Sequence, residues 1–303
     1  MISDVEIILA SAVRLGAVLG FAALGELVAQ RAGTLNISVE AMMLGGAFGG
    51  AVGATVFASG PAGLVCGVLA GATVAAVHGN LSHRLTANPF VVGLTLNVLV
   101  LGLTSFLLAV VDLDIARVGV IEVPLLSDIP VIGQAFFAQR WPVLLLYALV
   151  PVVWWVLYRS RWGLDVRCVG ESPQAADVTG VHVNARRRQA LLVGGALAGL
   201  GGAYLAVGEV GVFTQNMTAG RGFIAIAAVI FGGWTIRGTL AGCALFGLAD
   251  SARIALPILG VALNSQLLTA APYLLTIVAL VVFSRRAGAQ PSALGTTFER
   301  GIT

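Results

Sequence analysis

Long apolar runs recur along this chain, separated by short, sharply placed polar turns. Runs of membrane-crossing length lie at 6–29, 37–58, 62–83, 90–111, 141–158, 190–210 and 267–284. Each comes close to the roughly 20 residues that an α-helix needs to cross a hydrocarbon core about 30 Å thick. A longer run at 222–256 is broken at Trp234-Thr235-Ile236-Arg237-Gly238, so it reads as a short segment, 222–234, followed by a full one, 238–256. The pattern predicts an all-α polytopic membrane protein, a single transmembrane domain over 1–303 with about nine (8–10) passes. Pro124, Pro130 and Gly133 break up the stretch 112–140 and leave room there for a short interfacial helix. Thr34 to Gly53 and Gly222 to Gly242 are both glycine-rich apolar segments that follow a polar turn, which suggests an internal repeat of the kind found in many transporters.

The widest polar interruption, Arg159 to Gln189, carries its own structural signal. Ser172 suits an N-cap, Pro173 the first helical position and Gly180 a C-terminal cap. The segment Gly170-Glu171-Ser172-Pro173-Gln174-Ala175-Ala176-Asp177-Val178-Thr179-Gly180 therefore predicts a helix of about two turns, Pro173–Thr179. Arg159, Arg161, Arg167, Arg186, Arg187 and Arg188 flank it. Arginine-rich loops are retained in the cytoplasm, and a short capped helix there is most simply a docking piece for a soluble partner. With this loop inside, Arg31, Arg84, Arg237, Arg285, Arg286 and Arg300 also fall inside. Arg117, Arg140 and Arg221 fall outside, as does the acidic segment with Asp112, Asp114, Glu122 and Asp128. This asymmetry places the N-terminus outside and the tail, 285–303, in the cytoplasm.

Composition strengthens the membrane reading. Charged residues make up 10% of the chain and hydrophobic ones 58%, with a mean hydropathy of +0.97, against roughly 25% charged in soluble domains. The net charge of +3 comes from the loops and implies no nucleic acid. Glycines at four-residue spacing, Gly45 and Gly49, Gly46 and Gly50, Gly67 and Gly71, Gly195 and Gly199, suit close approach of membrane helices. Cys66, Cys168 and Cys243 form no CxxC pair, so neither a disulfide framework nor a metal site is expected. The first apolar span has Asp4 and Glu6 before it and no basic residue before Arg14, unlike a signal peptide, and is expected to be retained. The sequence contains no lysine. A Walker A loop needs one to reach the β- and γ-phosphates, so this chain cannot draw on ATP by itself.

Glu26, Asn36, Glu40, Asn97, Glu209 and Asp250 lie in or at the ends of apolar spans, where ionisable groups are functional candidates by default. Asn36 and Glu40, four apart, would share a helix face, and with Asn97 they are the candidates for a substrate pathway. For Glu40, pairing with Arg31 or capping a helix end are open alternatives; for Asp250, an i,i+3 pair with Arg253; for Asn97, a bond to a neighbouring helix. His78, His83 and His182 have no second ligand at a metal-binding spacing, and no catalytic or cofactor motif appears.

Four segments resemble a known family. They are Gly25-Glu26-Leu27 with Arg31-Ala32-Gly33-Thr34-Leu35-Asn36-Ile37-Ser38-Val39-Glu40-Ala41-Met42-Met43-Leu44, then Arg161-Trp162-Gly163-Leu164 with Val169 to Ala176, then Gly222 to Trp234, and Ala271-Pro272-Tyr273-Leu274-Leu275-Thr276. In this order they resemble the signatures of ATP-binding-cassette importer permeases for nucleosides and simple sugars, relatives of the branched-chain amino acid permeases. Ser38 and Ala41 stand where that family usually has glycine, so added side chains would narrow a close approach near Asn36 and Glu40. The resemblance implies a permease subunit paired with a second, non-identical permease, with separate ATPase subunits and with an extracytoplasmic binding lipoprotein. It also makes Pro173–Thr179 the coupling helix. An ion-coupled secondary transporter using Glu26, Glu40 or Asp250, and a membrane enzyme or scaffold, are the competing classes.

Overall fold

A computed structural model describes residues 2–122, 132–258 and 290–299, and these are mostly helical. In chain order they form α1 (Ile2–Arg31), α2 (Val39–Val56), α3 (Gly60–His83), α4 (Pro89–Leu108), β1 (Val120–Glu122), α5 (Ile132–Phe137), β2 (Ala138–Arg140), α6 (Trp141–Arg159), α7 (Arg161–Glu171), α8 (Pro173–Val178), α9 (Val183–Ala203), α10 (Arg221–Phe231) and α11 (Ile236–Ile258). A π-helical stretch, Tyr204–Val210, extends α9.

Among the described residues six helices are long and apolar enough to cross a membrane: α1 from Glu6, α2, α3, α4, α6, and α9 with its π extension. α10 has 11 residues, too few to cross by itself, so the short pass expected at 222–234 has no spanning helix of its own. α11 covers the expected span 238–256, and the expected span 267–284 lies outside the described residues. The short helix expected within 112–140 is α5, beside a small antiparallel pairing of β1 with β2 in which Val120 faces Arg140. The two loosely similar stretches differ in element order. Thr34 to Gly53 runs through a turn into α2, whereas Gly222 to Gly242 starts inside α10 and crosses a turn into α11.

Local sequence sets the helix starts. Asn88 accepts from the backbone N–H of Phe90 at 2.9 Å, with Pro89 at the first position of α4, and the Ser160 hydroxyl accepts from Gly163 N at 3.0 Å to start α7. Such caps satisfy N–H groups that have no partner inside the helix.

The core is a packing of α1 on α9 and α11 and of α2 on α3 and α9. Glycines make it close. A Cβ on Gly46 would strike the Gly199 backbone, one on Gly71 would strike Gly195 and Gly199, and one on Gly67 would strike Ala203 and the Gly46 carbonyl. Of the spaced pairs, Gly46, Gly67, Gly71, Gly195 and Gly199 thus form one seam where backbones touch. Gly45 has only ordinary van der Waals neighbours, Val74 and Val100.

Candidate functional site: the turn between α1 and α2

Residues 32–38 break the helix between Arg31 and Val39 and gather side chains from five other elements. Asn36 lies in this turn, ahead of α2, so it does not share a helix face with Glu40. Its Nδ2 donates to Glu26 Oε2 at 2.9 Å, and Gln30 Nε2 donates to Glu26 Oε1 at 2.7 Å. The Ser38 hydroxyl donates to Asn36 Oδ1 at 2.9 Å and sits 2.6 Å from His78 Nδ1 on α3. At the other end, Trp234 Nε1 donates to Gln30 Oε1 at 2.6 Å. Trp234, Gln30, Glu26, Asn36, Ser38 and His78 are all buried, so one hydrogen-bonded chain joins the α10–α11 turn to α3 through the α1–α2 turn. Buried polar groups cost several kcal/mol when unpaired, and a chain of partners removes that cost while fixing a single arrangement. Ser38, where the resemblance leads one to expect glycine, is spent on this bond.

Glu40 does not pair with Arg31. Arg31 donates through Nε and Nη2 to the Trp234 carbonyl, at 3.0 and 2.6 Å. Glu40 instead caps a helix. Its Oε1 accepts from Thr218 Oγ1 at 2.6 Å and Gly220 N at 2.8 Å, and its Oε2 from Gly222 N at 2.7 Å. A carboxylate at this place meets both the orphan N–H groups and the positive end of the α10 dipole. Glycine is required opposite it: a Cβ on Gly222 would lie 2.5 Å from Glu40 N. Asn97, on α4, clamps the start of α2 by accepting from Ala41 N at 2.9 Å and donating to the Ile37 carbonyl at 3.0 Å. The three pathway candidates therefore converge on one turn, each bonded to protein.

The remaining intramembrane acids are paired. Glu209 accepts from Arg14 at 3.1 Å, and Asp250 bridges Arg221 at 3.1 Å and Arg253 at 3.2 Å. No group of three metal-binding side chains occurs among the described residues.

The same turn reaches α7, from which α8 follows directly. Gly170, in the last turn of α7, packs so closely that a Cβ there would overlap the Arg31 carbonyl, with Gly33 N 3.1 Å away. The segment 290–299 straps this junction. Ala293 N donates to the Gly170 carbonyl at 2.9 Å and Gly295 N to the Gly33 carbonyl at 3.0 Å, while Ser292 Oγ donates to Glu171 at 3.0 Å. Arg187 is buried between turn and strap, donating to the carbonyls of Ala32 at 3.2 Å and Thr296 at 2.6 Å. α8 carries the cap its sequence predicts: Ser172 Oγ accepts from Ala175 N at 3.4 Å, and Gly180 takes a left-handed φ of 88°. Its two alanines face different ways. Ala176 is 3% exposed and packs with Val169 and Val183, and Pro173 is buried too. Gln174, Ala175 and Val178 point outward, Val178 with 89% of its surface exposed.

Residues 8–283 match the family described as branched-chain amino acid transport system / permease component. The chain belongs to this family of permeases. It is 36% identical to a putative glucose ABC transporter permease protein of Haloferax volcanii, over 97% of each chain. It is 37% identical to a nucleoside ABC transporter permease protein of Lactococcus lactis, over 98% of each. With a guanosine ABC transporter permease protein of Bacillus subtilis it shares 35% identity over 92% of each. No solved structure matches. A permease component is a transport subunit, so the site of interest is a path and its mechanical controls rather than a catalytic centre.

In this permease, two features carry weaker sequence signals. α7 is one: Ser160 as N-cap and Trp162, Val166 and Val169 at helical spacing would have signalled it. The strap has no periodic pattern, and its order comes from backbone bonds to Gly33 and Gly170.

Proposed function

We propose that this permease carries a neutral nucleoside or simple sugar across the cytoplasmic membrane, powered by a separate ATPase. It works as one half of a permease pair, with a non-identical partner, and receives its substrate from an extracytoplasmic binding lipoprotein. The observation that carries the reading is similarity over nearly the full length to permeases named for nucleosides, guanosine and glucose. The absence of lysine from the sequence supports an external source of energy. The ion-coupled alternative needs a carboxylate free to cycle, whereas Glu26 holds two amide donors, Glu40 three donors and Asp250 two arginines. Nine passes, with the N-terminus outside and α7–α8 in the cytoplasm, fit the distribution of arginines. Proteoliposomes holding the permease pair, ATPase and binding protein should take up labelled nucleosides or sugars only with ATP. Uptake driven by a sodium or proton gradient without ATP would overturn this reading.

α8 docks in the ATPase through Gln174, Ala175 and Val178, while Ala176, Pro173, Gly170, Glu171, Ser172, Asp177 and Gly180 shape and seat it. Ala175→Trp and Val178→Asp alter only outward positions and are expected to weaken ATPase association about tenfold or more, since a misfit side chain in a fitted contact costs about 1–3 kcal/mol. Ala176→Trp is expected instead to unseat α8 from its own chain. Pull-down measures the first two, and labelling of the exposed Cys168 from the cytoplasmic side checks the orientation. Unchanged binding in both outward variants would remove the docking role.

A further inference from the structure

The non-helical segment 211–220 lies at membrane depth with polar side chains uncovered, and its level can be read against α2. At one end, Val210 accepts from Arg117 Nη2 at 3.3 Å, beside Gly60 and thus near the end of α2 at Val56. Phe213 packs edge-on against Phe48 with ring centroids 5.2 Å apart, and Phe48 is about midway along α2. Gly220 meets Glu40 at the start of α2. At 1.5 Å per residue, residues 214–219 therefore cover about 12 Å of depth alongside the first half of a helix about 27 Å long.

Within that interval the chain folds as successive tight turns: Met217 N donates to Thr214 O at 3.2 Å, Ala219 N to Asn216 O at 3.0 Å and Arg221 N to Thr218 O at 2.9 Å. Asn216, Ala219 and Gly220 adopt left-handed φ values of 53°, 44° and 83°. Thr218 is buried and fastened to Glu40, but Thr214, Gln215 and Asn216 are exposed. Irregular backbone and bare amides are not stable against lipid; at this depth they are tolerated where they line water or are covered by protein. Strained turns held by a buried anchor mark a functional segment.

We propose that Thr214, Gln215 and Asn216 form the substrate-contacting wall of the translocation path, and that the α10 N-terminus, plugged by Glu40, is its floor. Uncharged hydroxyl and amide groups hydrogen-bond a neutral, hydroxyl-rich solute, and neighbouring charges are already engaged: Glu40 with three donors, Arg221 with Asp250. The assignment rests on the permease reading above and names the surface that the solute touches. The pathway is thus displaced from Asn36 and Asn97, which hold the turn behind it.

The test uses the assembled importer with Cys66, Cys168 and Cys243 replaced by alanine. Cysteines at Gln215 and Asn216 should react with a charged, membrane-impermeant thiol reagent, and saturating transported solute should slow both reactions about tenfold. Labelling in the isolated permease that vanishes in the assembled complex would make the segment a subunit contact and overturn the proposal, as would labelling indifferent to solute. Gln215→Ala and Asn216→Gly, the latter keeping the left-handed backbone available, should each raise the half-saturating solute concentration about tenfold, the usual scale for a lost hydrogen bond to a buried ligand. Unchanged values in both variants would also overturn it. If the parent complex transports neither nucleosides nor sugars while both cysteines still react with the aqueous reagent, the substrate reading fails and the water-lined wall stands.

Discussion

Glu40→Gln is expected to cut the initial rate of ATP-dependent uptake at least tenfold while the importer still assembles. The carboxylate serves three donors with two oxygens, Thr218 and Gly220 on one and Gly222 on the other. An amide has one oxygen, so either orientation turns an NH2 group toward a backbone N–H, of Gly222 in one and Gly220 in the other. Each unsatisfied buried donor costs about 1–3 kcal/mol, and the negative charge opposite the α10 dipole is lost as well. No room exists for relief, because Gly222 already packs against the Glu40 backbone. Glu40→Asp keeps the charge and should retain more uptake than the amide. Rates in proteoliposomes, with assembly followed by size-exclusion chromatography, are the measurement. Parental uptake by the Gln variant would show that the cap is dispensable.

Gly170→Val should separate ATP hydrolysis from transport. The position lies where α7, the α1–α2 turn and the 290–299 strap converge, and even a Cβ there overlaps the Arg31 carbonyl. The overlap is with backbone on both sides, so rotamer changes cannot relieve it and the α7–α8 unit must lift away from the turn. Overpacking of this kind costs about 1–3 kcal/mol or more. The outward face of α8 is untouched, so the ATPase should still bind and hydrolyse ATP, while uptake per ATP falls about tenfold. Hydrolysis and uptake measured on the same proteoliposomes decide the matter, and a parental ratio would rule out this junction as the link.

The helical class, the helix breaks and the capped α8 were legible because each depends on local signals: run length, a Ser-Pro start and a glycine stop. The polar intramembrane residues were legible as a set but not in their roles. Asn36 and Glu40 look like helix neighbours four apart, yet the chain turns between them, and Asn36 faces back to Glu26 while Glu40 faces forward to α10. That distinction depends on partners 10 and about 180 residues away, which no spacing rule reaches. Ala176 carries a related ambiguity: small size suits a groove in a partner or a seat in the same chain, and only the placement of Val169 and Val183 decides between them.

The glycine seam of α2, α3 and α9 bears on how such a protein can change shape. Helices that slide past one another do so by re-rotamering the side chains between them. Where Gly46, Gly71 and Gly199 bring main chain against main chain, there is no such cushion, and an axial slip would drive Cα atoms into carbonyl oxygens. The three helices are therefore expected to move as one body, and relative displacement falls to elements outside that seam, among them the strapped α7–α8 unit.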